Sequence, residues 1–159
     1  MTDRNSQAAA ALQGRHVALD VVEIAAPRDR VEGALFDFSA WGAWNPLYPE
    51  ARGTMAPGET LHFAVQLEGM KPNRGTARVL EADRAAGLIR YEIAGMGGLV
   101  RATRIIRIES PAPGTTRVTN AEVMGGLIGR LLYRAMGEKV RRGLAAMNAA
   151  LKQKLEAAG

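Results

Sequence analysis

The last part of the chain carries one long apolar stripe at helical spacing. Beyond Gly125-Gly126, apolar residues recur at every third or fourth position through about seven turns, at Ile128, Leu132, Met136, Val140, Leu144, Met147, Leu151 and Leu155. This spacing predicts a single amphipathic helix. A helix of this length has too much apolar surface to stand alone, so the rest of the chain has to supply a surface that covers it.

Seven short segments before this helix have the composition of β-strands. They cover residues 16–24, 47–53, 60–68, 74–82, 88–94, 99–109 and 115–124. Turn-forming residues such as Pro57-Gly58 and Pro111–Gly114 separate neighbouring segments, which is typical of an antiparallel meander. The predicted fold class is therefore α+β, with a curved antiparallel seven-stranded sheet wrapped around the long C-terminal helix.

The connection between the first and second strands holds both tryptophans of the chain. Ala26-Pro27 places a proline at a helix start, and a second short helix carries Trp41 and Trp44 and ends before Pro46. Two short helices are thus predicted after strand 1. Two large aromatic side chains in so short a connector predict an anchor that fills the gap between the curved sheet and the structure packed on it.

Length and composition predict one domain. A chain of 159 residues suits a single core, so we expect a flexible N-terminal tail over residues 1–14 and one domain over residues 15–159. Cysteine is absent, which excludes disulfides, thiol catalysis and cysteine-ligated metals and favours a reducing compartment. No segment has the features of a signal peptide or of a membrane span. We therefore predict a cytoplasmic protein without stable membrane insertion.

The charge of the chain is uneven. Its formal net charge is +5, and residues 100–159 contain eleven Lys/Arg against four Asp/Glu. Aromatic residues make up only 5%, too few for a base-stacking surface, so we expect no nucleic-acid partner. Because the basic residues alternate with apolar ones, they fit the solvated face of a helix. The alternative is a docking face for an acidic protein or a membrane surface, formed by Arg130, Arg134, Arg141 and Arg142.

A strongly curved sheet does not lie flat on a straight helix, so a space is expected between them. This space is the candidate ligand site. Alternate connections of a meander share one end of the sheet, and one end collects Gly69-Met70, Gly95–Gly98 and Met124–Gly126. Because methionine adapts to apolar shapes and glycine allows loop motion, we expect the entrance there. Alternatively, these residues only close hairpins and fill gaps.

Three polar residues interrupt otherwise apolar strand faces. They are Arg104 on the sixth strand and Asn120 and Glu122 on the seventh. Closing the hairpin through residues 111–114 places Arg104 opposite Asn120 or Glu122. A charge on a buried face needs a partner, so we predict an Arg104–Glu122 ion pair with Asn120 and Tyr91 as hydrogen-bonding neighbours.

Three roles are open for this polar group. In the first role the ion pair is structural, and each side chain only neutralises the charge of the other. In the second role, Arg104 orients the polar head of an amphipathic ligand such as a carboxylate or enolate. In the third role, Glu122 is a general base and Arg104 stabilises an enolate during cyclisation or dehydration. That role needs a carboxylate that accepts a proton readily, which a neighbouring guanidinium opposes. The sequence assigns no catalytic residue.

The predicted ligand-binding residues are those expected to contribute to the cavity: Trp44, Phe63, Val65, Tyr91, Arg104, Ile106, Asn120, Glu122, Met124, Leu132 and Met136. The two histidines, His16 and His62, lie far apart along the chain. Without cysteine they cannot complete a usual first-row metal site, so we expect no metal and no cofactor.

Several motifs carry a resemblance to a known superfamily. They are Ile24–Pro27, Trp41–Pro46, Gly114–Val118, Glu122–Leu127 and Ala146–Lys152. Through them residues 16–156 resemble the helix-grip (SRPBCC) superfamily of START-related, Bet v 1-like and polyketide cyclase/dehydrase-type proteins. The resemblance implies a helix-grip fold that binds a hydrophobic or amphipathic small molecule of lipid, polyketide or aromatic type. The alternative that it implies is a cyclase/dehydratase-like enzyme.

The chain also departs from the proteins that it resembles. In similar bacterial proteins the sixth and seventh strands often carry histidines on the cavity side, and here Arg104 and Asn120 occupy the matching places. We therefore do not expect histidine-based acid/base chemistry.

Overall fold

A computed structural model gives the arrangement of residues 16–158, and the tail predicted over residues 1–14 lies outside the described residues. The strands are β1 (Val17–Ile24), β2 (Glu50–Arg52), β3 (Thr60–Val65), β4 (Asn73–Asp83), β5 (Leu88–Gly95), β6 (Val100–Ala112) and β7 (Thr115–Gly125). The α-helices are α1 (Arg28–Phe36) and α2 (Gly129–Ala157). Two short 3₁₀ helices span Phe38–Ala43 and Met96–Gly98.

The strands form one antiparallel sheet in the order β1-β7-β6-β5-β4-β3-β2. Strands β2 to β7 make the predicted meander. Strand β1 lies at the other edge, where Val17 pairs with Val123 and Ile24 pairs with Thr116 of β7. The α+β class, the seven strands and the long C-terminal helix are confirmed.

The long helix buries the predicted apolar stripe against the sheet. From Val140 onward the stripe is fully covered, through Leu144, Met147, Leu151 and Leu155. Leu132 and Met136, nearer the start of α2, are only half-buried. Helix α2 packs mainly against β1 and β7, so its C-terminal half closes the core and its first turns stand over a more open region.

The two tryptophans anchor the connector, as their spacing predicts. Trp41 is fully buried and donates its indole N–H to the carbonyl of Leu35 at 3.2 Å. Its ring packs against Phe38 and Tyr48, with centroid distances of 4.8 and 5.4 Å. Trp44 is half-buried beside it, with a centroid distance of 6.1 Å. The anchor helix is a 3₁₀ helix, and it fixes the position of the segment that leads to β2.

Strand β3 is shorter than the sequence predicts. It ends at Val65, whereas the apolar alternation suggests a strand through Glu68. The backbone N–H of Gln66 donates to the carbonyl of Leu47 at 2.9 Å, and its side-chain amide donates to the carbonyls of Leu67 and Met70. These bonds turn the chain away from β4, and the loop that they form lies at the end of the sheet where the cavity opens.

Two glycines allow close approach of backbone segments. Gly87 has φ +64°, and a Cβ there would lie 2.3 Å from the carbonyl oxygen of Ile108. Gly126 has φ +82°, and a Cβ there would lie 2.4 Å from the carbonyl oxygen of Leu99. Other residues are excluded at both positions by strain and by contact. Gly126 therefore holds the start of α2 against the loop that precedes β6.

Candidate functional site

A cavity of about 250 Å³ lies between the sheet, the loop after β3 and the first half of α2. Its wall is mainly apolar: Leu47, Phe63, Val65, Leu67, Met70, Ile93, Ala102, Met136 and Val140. Tyr48, Arg104 and Glu122 add buried polar groups, while Lys71, Asn73 and Arg74 stand at the exposed side. An apolar cleft with a few convergent polar groups is the usual form of a small-molecule site.

A larger depression of about 430 Å³ lies on the outer side of the sheet edge, over Glu50, Arg52, His62 and Arg74. These four side chains are exposed and most are charged, so this depression is an open surface with charged groups at its border. His62 is exposed on this surface. The smaller cavity beneath α2 is the better candidate site because it is mostly apolar and encloses buried polar atoms.

The central polar feature of the cavity is an ion pair. Arg104 and Glu122 are direct cross-strand partners in β6 and β7, and Nη2 of Arg104 lies 3.0 Å from Oε1 of Glu122. Only 3% of the Arg104 side chain and 10% of the Glu122 side chain are exposed. The predicted pairing is therefore confirmed. Among the described residues, Nε of Arg104 has no hydrogen-bond partner.

Asn120 connects the ion pair to the helix. Nη1 of Arg104 donates to Oδ1 of Asn120 at 3.4 Å, and the Asn120 amide in turn donates to the sulfur of Met147 at 3.3 Å and to Oδ1 of Asn148 at 3.5 Å. Asn148 donates to the carboxylate of Asp20 on β1 at 2.8 Å. This buried hydrogen-bond network joins β6, β7, α2 and β1, and it fixes the position of the guanidinium on the Asn120 side.

A pair of tyrosines lies on the other side of the guanidinium. The hydroxyls of Tyr48 and Tyr91 are 2.8 Å apart, and both side chains are fully buried. Cζ of Arg104 lies 5.6 Å from the Tyr48 ring centroid and 6.0 Å from that of Tyr91, within cation–π range. Tyr91 is thus next to the ion pair, as predicted, but its hydroxyl bonds to Tyr48. Tyr48 itself is a site residue that the sequence analysis missed.

Burial and charge fix the protonation states of this group. Burial raises the pKa of the Tyr48 and Tyr91 hydroxyls. Burial alone would lower the pKa of Arg104, but Tyr48, Tyr91 and Glu122 together raise it above its usual value. At neutral pH Arg104 is therefore permanently charged and paired with Glu122, and the neighbouring tyrosine hydroxyls, of which that of Tyr48 belongs to the wall, are neutral.

The predicted ligand-binding residues divide into two sets. Those in the cavity wall are Phe63, Val65, Arg104, Glu122 and Met136. Those outside the wall are Trp44, Tyr91, Ile106, Asn120, Met124 and Leu132. Trp44 belongs to the anchor, Leu132 is half-buried on α2, and the other four are buried in the packed interior. Contact of any of the eleven with a ligand stays a prediction.

Two absences apply to the part of the chain that the structure describes. No three histidine, aspartate or glutamate side chains in residues 16–158 come close enough together to hold a metal ion. None of the described helices combines the length and the apolar character needed to cross a membrane.

Comparison with protein families gives a match over nearly the whole described chain. Residues 16–156 match the model described as polyketide cyclase/dehydrase and lipid transport. No curated protein matches the chain.

Comparison with solved structures finds proteins of the same architecture. The Zhui aromatase/cyclase from Streptomyces sp. R1128 superimposes with a TM-score of 0.73 at 18% identity, covering 88% of this chain and 93% of that one. A START superfamily protein from Mycobacterium smegmatis gives 0.67 at 18% identity, covering 90% and 99%. Norcoclaurine synthase from Thalictrum flavum, in complex with dopamine and hydroxybenzaldehyde, gives 0.68 at 14% identity, covering 87% and 84%. At these identities the similarity establishes a shared fold.

Proposed function

Because the chain belongs to the polyketide cyclase/dehydrase and lipid-transport family, we propose that it binds a hydrophobic or amphipathic small molecule between the sheet and α2. The observation that carries this proposal is the cavity wall itself, which combines mainly apolar side chains with one buried ion pair, that of Arg104 and Glu122. The ligand class is lipid, polyketide or aromatic. The cytoplasmic location predicted from the sequence stays a prediction.

The polar groups of the wall favour a ligand with an oxygen-bearing head. Arg104 uses its two terminal nitrogens on Asn120 and Glu122, while its Nε has no partner among the described residues. A buried donor without a partner is unfavourable, so a carboxylate, carbonyl or enolate oxygen within reach of the guanidinium would improve the site. The apolar wall would cover the remainder of the ligand.

The volume limits the size of the ligand. The cavity of about 250 Å³ lies just below the range of about 300–1,000 Å³ that is common for ligand pockets. A single aromatic ring system or a medium-length chain suits this volume, and a two-chain lipid exceeds it. We therefore propose a compact ligand with one apolar body and one polar head.

The first experiment is native mass spectrometry with organic extraction of the protein purified from its own host. A stoichiometric apolar compound with an oxygen-bearing head would support the proposal, and its structure would name the ligand class. An empty protein would direct the search to transient substrates, and binding would then be measured with 1-anilinonaphthalene-8-sulfonate, an apolar aromatic probe with an anionic head.

A cavity-filling variant tests the location. Ala102 faces the cavity, while Ala94 on the neighbouring strand β5 is exposed. Ala102→Phe would fill part of the space and should abolish binding of the extracted compound or of the probe. Ala94→Phe adds the same side chain outside the cavity and should leave binding unchanged. Equal binding by both variants would place the ligand elsewhere and would refute the proposed site.

A second candidate function is a cyclase/dehydratase-like enzyme that acts in the same cavity. It is favoured by the convergence of a carboxylate, a guanidinium and a tyrosine hydroxyl, those of Glu122, Arg104 and Tyr48, in one wall. In this case Glu122→Gln should abolish turnover and leave ligand affinity largely intact, since the amide keeps the shape but not the base. A parallel loss of affinity and activity would remove the support for this candidate.

A further inference from the structure

Two leucines at the N-terminal end of α2, one in its first turn and one just before it, are unusually exposed. Leu127 is 87% exposed and Leu131 is 67% exposed, more than any other large apolar side chain among the described residues. Leu131 lies in the first turn of α2 and Leu127 in the turn that leads into it, so both exposed side chains lie at the N-terminal end of the helix. Two neighbouring leucines exposed to water lose the free energy that burial would provide, and no part of residues 16–158 covers them.

The exposed pair lies at the end of the sheet where the cavity opens. The opposite side of the same helix contributes Met136 and Val140 to the cavity wall. Gly126 holds the start of α2 against the loop before β6, where Leu99 is also exposed. Across the opening, the exposed Met70 of the β3–β4 loop completes an apolar rim.

Basic side chains predominate around this rim, and the exposed Glu68 and Glu138 at its border are paired with Arg142 and Arg141. Residues 69–77, 93–103 and 123–137 contain five basic residues and no acidic residue. The five are all exposed: Lys71, Arg74, Arg101, Arg130 and Arg134. Arg74 makes a long, exposed ion pair of 3.4 Å with Glu50. The opposite end of the sheet carries mixed charges, including Glu59, Asp83 and Arg84.

The docking face that the sequence allows as an alternative divides into two parts. Arg141 and Arg142 are paired, with Glu138 at 2.7 Å and 3.3 Å respectively, and Arg142 also lies 3.5 Å from Glu68. No ion pair within residues 16–158 involves Arg130 or Arg134. These two arginines flank Leu131 on the helix surface, so the unneutralised charge and the exposed apolar area coincide at the first turns of α2.

We propose that this rim docks on an anionic lipid bilayer, with Leu127 and Leu131 in the interfacial layer and Arg130 and Arg134 at the lipid phosphates. Leucines on a helix flanked by basic side chains are typical of helices that lie in a membrane interface, and arginines can extend to the headgroups from such a position. The docked orientation directs the cavity opening towards the lipid. This inference goes beyond ligand binding and does not depend on which ligand the cavity holds.

Charge complementarity selects the bilayer over a second copy of the chain. Two copies meeting through this rim would bring Arg130 and Arg134 of one copy, which make no ion pair within residues 16–158, close to the basic side chains of the other, and this opposes association. An anionic bilayer offers dispersed negative charge and an apolar layer within a few ångströms of each other, and each basic residue near such a surface adds to binding.

Vesicle co-sedimentation of the full chain tests the proposal. We expect binding to vesicles of equimolar phosphatidylcholine and phosphatidylglycerol, weakening as salt is added, and much weaker binding to pure phosphatidylcholine. Leu127→Ser with Leu131→Ser should lower the partition coefficient by about tenfold or more. Arg130→Gln with Arg134→Gln should lower it by roughly thirtyfold.

Two matched controls lie away from the rim. Leu80→Ser removes an exposed leucine from β4, and Arg117→Gln removes an exposed arginine from the far end of β7. Neither should change vesicle binding, and circular dichroism should show that all variants are folded. The cavity-filled Ala102→Phe variant should still bind vesicles, which separates this proposal from the proposed function.

Three results would overturn the proposal. The first is failure of the wild-type chain to sediment with anionic vesicles. The second is equal loss in the rim variants and their controls. The third is that the protein does not bind vesicles but forms a concentration-dependent dimer, seen by sedimentation velocity and abolished by the leucine substitutions. This last result would assign the rim to a second copy of the chain.

Discussion

Removal of Arg104 should destabilise the fold more than any change to a surface ion pair. In Arg104→Met the guanidinium disappears while the Glu122 carboxylate stays in a largely apolar wall, with 10% of its side chain exposed. A carboxylate in that position keeps the desolvation penalty and loses its partner at 3.0 Å. The perturbation therefore measures an uncompensated buried charge.

The expected magnitude follows from the burial of the pair. Loss of one member of a buried ion pair costs about 3–5 kcal/mol. Glu122 borders the cavity, where water can approach one side of the carboxylate, so we expect the lower end, about 3 kcal/mol. For a domain of this size that corresponds to a fall in Tm of roughly 6–12 °C.

Urea unfolding followed by far-UV circular dichroism measures the effect. With an m-value of about 2 kcal/mol/M, the loss should shift the midpoint by about 1.5 M. The matched control is Arg141→Met, which breaks the exposed pair with Glu138 and should leave the midpoint unchanged within error. The double variant Arg104→Met with Glu122→Leu should recover most of the loss, since apolar replacement of a whole buried pair is close to neutral.

Two outcomes would refute this reasoning. Arg104→Met could lie within about 1 kcal/mol of the wild type, which is the range of an exposed pair. Alternatively, the double variant could be no more stable than the single one. Either result would show that water in the cavity solvates the carboxylate as well as the arginine does.

Two further predictions concern the tyrosine pair and the glycine turns. Because burial raises the pKa of Tyr48 and Tyr91, the folded state keeps protons that the unfolded chain releases above about pH 10. The free energy of unfolding should therefore fall as pH rises past that value, by about 1.4 kcal/mol per pH unit for each tyrosine. Urea unfolding of Tyr91→Phe at several pH values should show a dependence on pH that is weaker by that amount. An unchanged dependence would contradict the burial argument. Gly87 and Gly114 both have positive φ, but only Gly87 faces backbone. Gly114→Ala should lower the free energy of unfolding by about 1 kcal/mol. Gly87→Ala should lower it by at least about 2 kcal/mol more, because the added Cβ would contact Ile108. Equal unfolding midpoints for the two variants would refute this difference.

Much of the sheet and the ion pair could be predicted from the sequence for local reasons. Alternating apolar residues mark the strands, and turn residues such as those at 111–114 fix the hairpin closure. Once the hairpin is closed, Arg104 has to lie near Glu122, and the structure places them directly opposite each other. A polar residue on an apolar strand face is a strong signal because it has few tolerable partners.

Tyr48 could not be found in the same way. It lies between Leu47 and Pro49, and a short alternation there indicates an exposed edge strand. Its full burial depends on the Trp41 anchor and on Tyr91, which is 43 positions away in the chain. No local pattern carries that information.

The alternation of a strand also gives the face of a residue but not its depth. Arg104 and Ile106 share a face of β6, yet only Arg104 reaches the cavity wall. Further along the strand the space is filled by the C-terminal half of α2 and by the anchor residues. The division of the predicted ligand-binding residues into wall and interior therefore depends on where the helix meets the sheet.

The pairing of β1 with β7 has a consequence for synthesis of the protein. Strand β1 leaves the ribosome first, but its partner is about 100 residues later, and α2, which covers the pair, comes later still. At about 5–20 residues per second, β1 waits roughly 5–20 seconds for its partner. Strands β3 to β6 can form hairpins during that interval, whereas closure of the long loop adds an entropic barrier. A nascent chain of this topology therefore keeps Val17–Ile24 without its β7 partner for that interval, and this domain can complete its fold only after α2 has emerged.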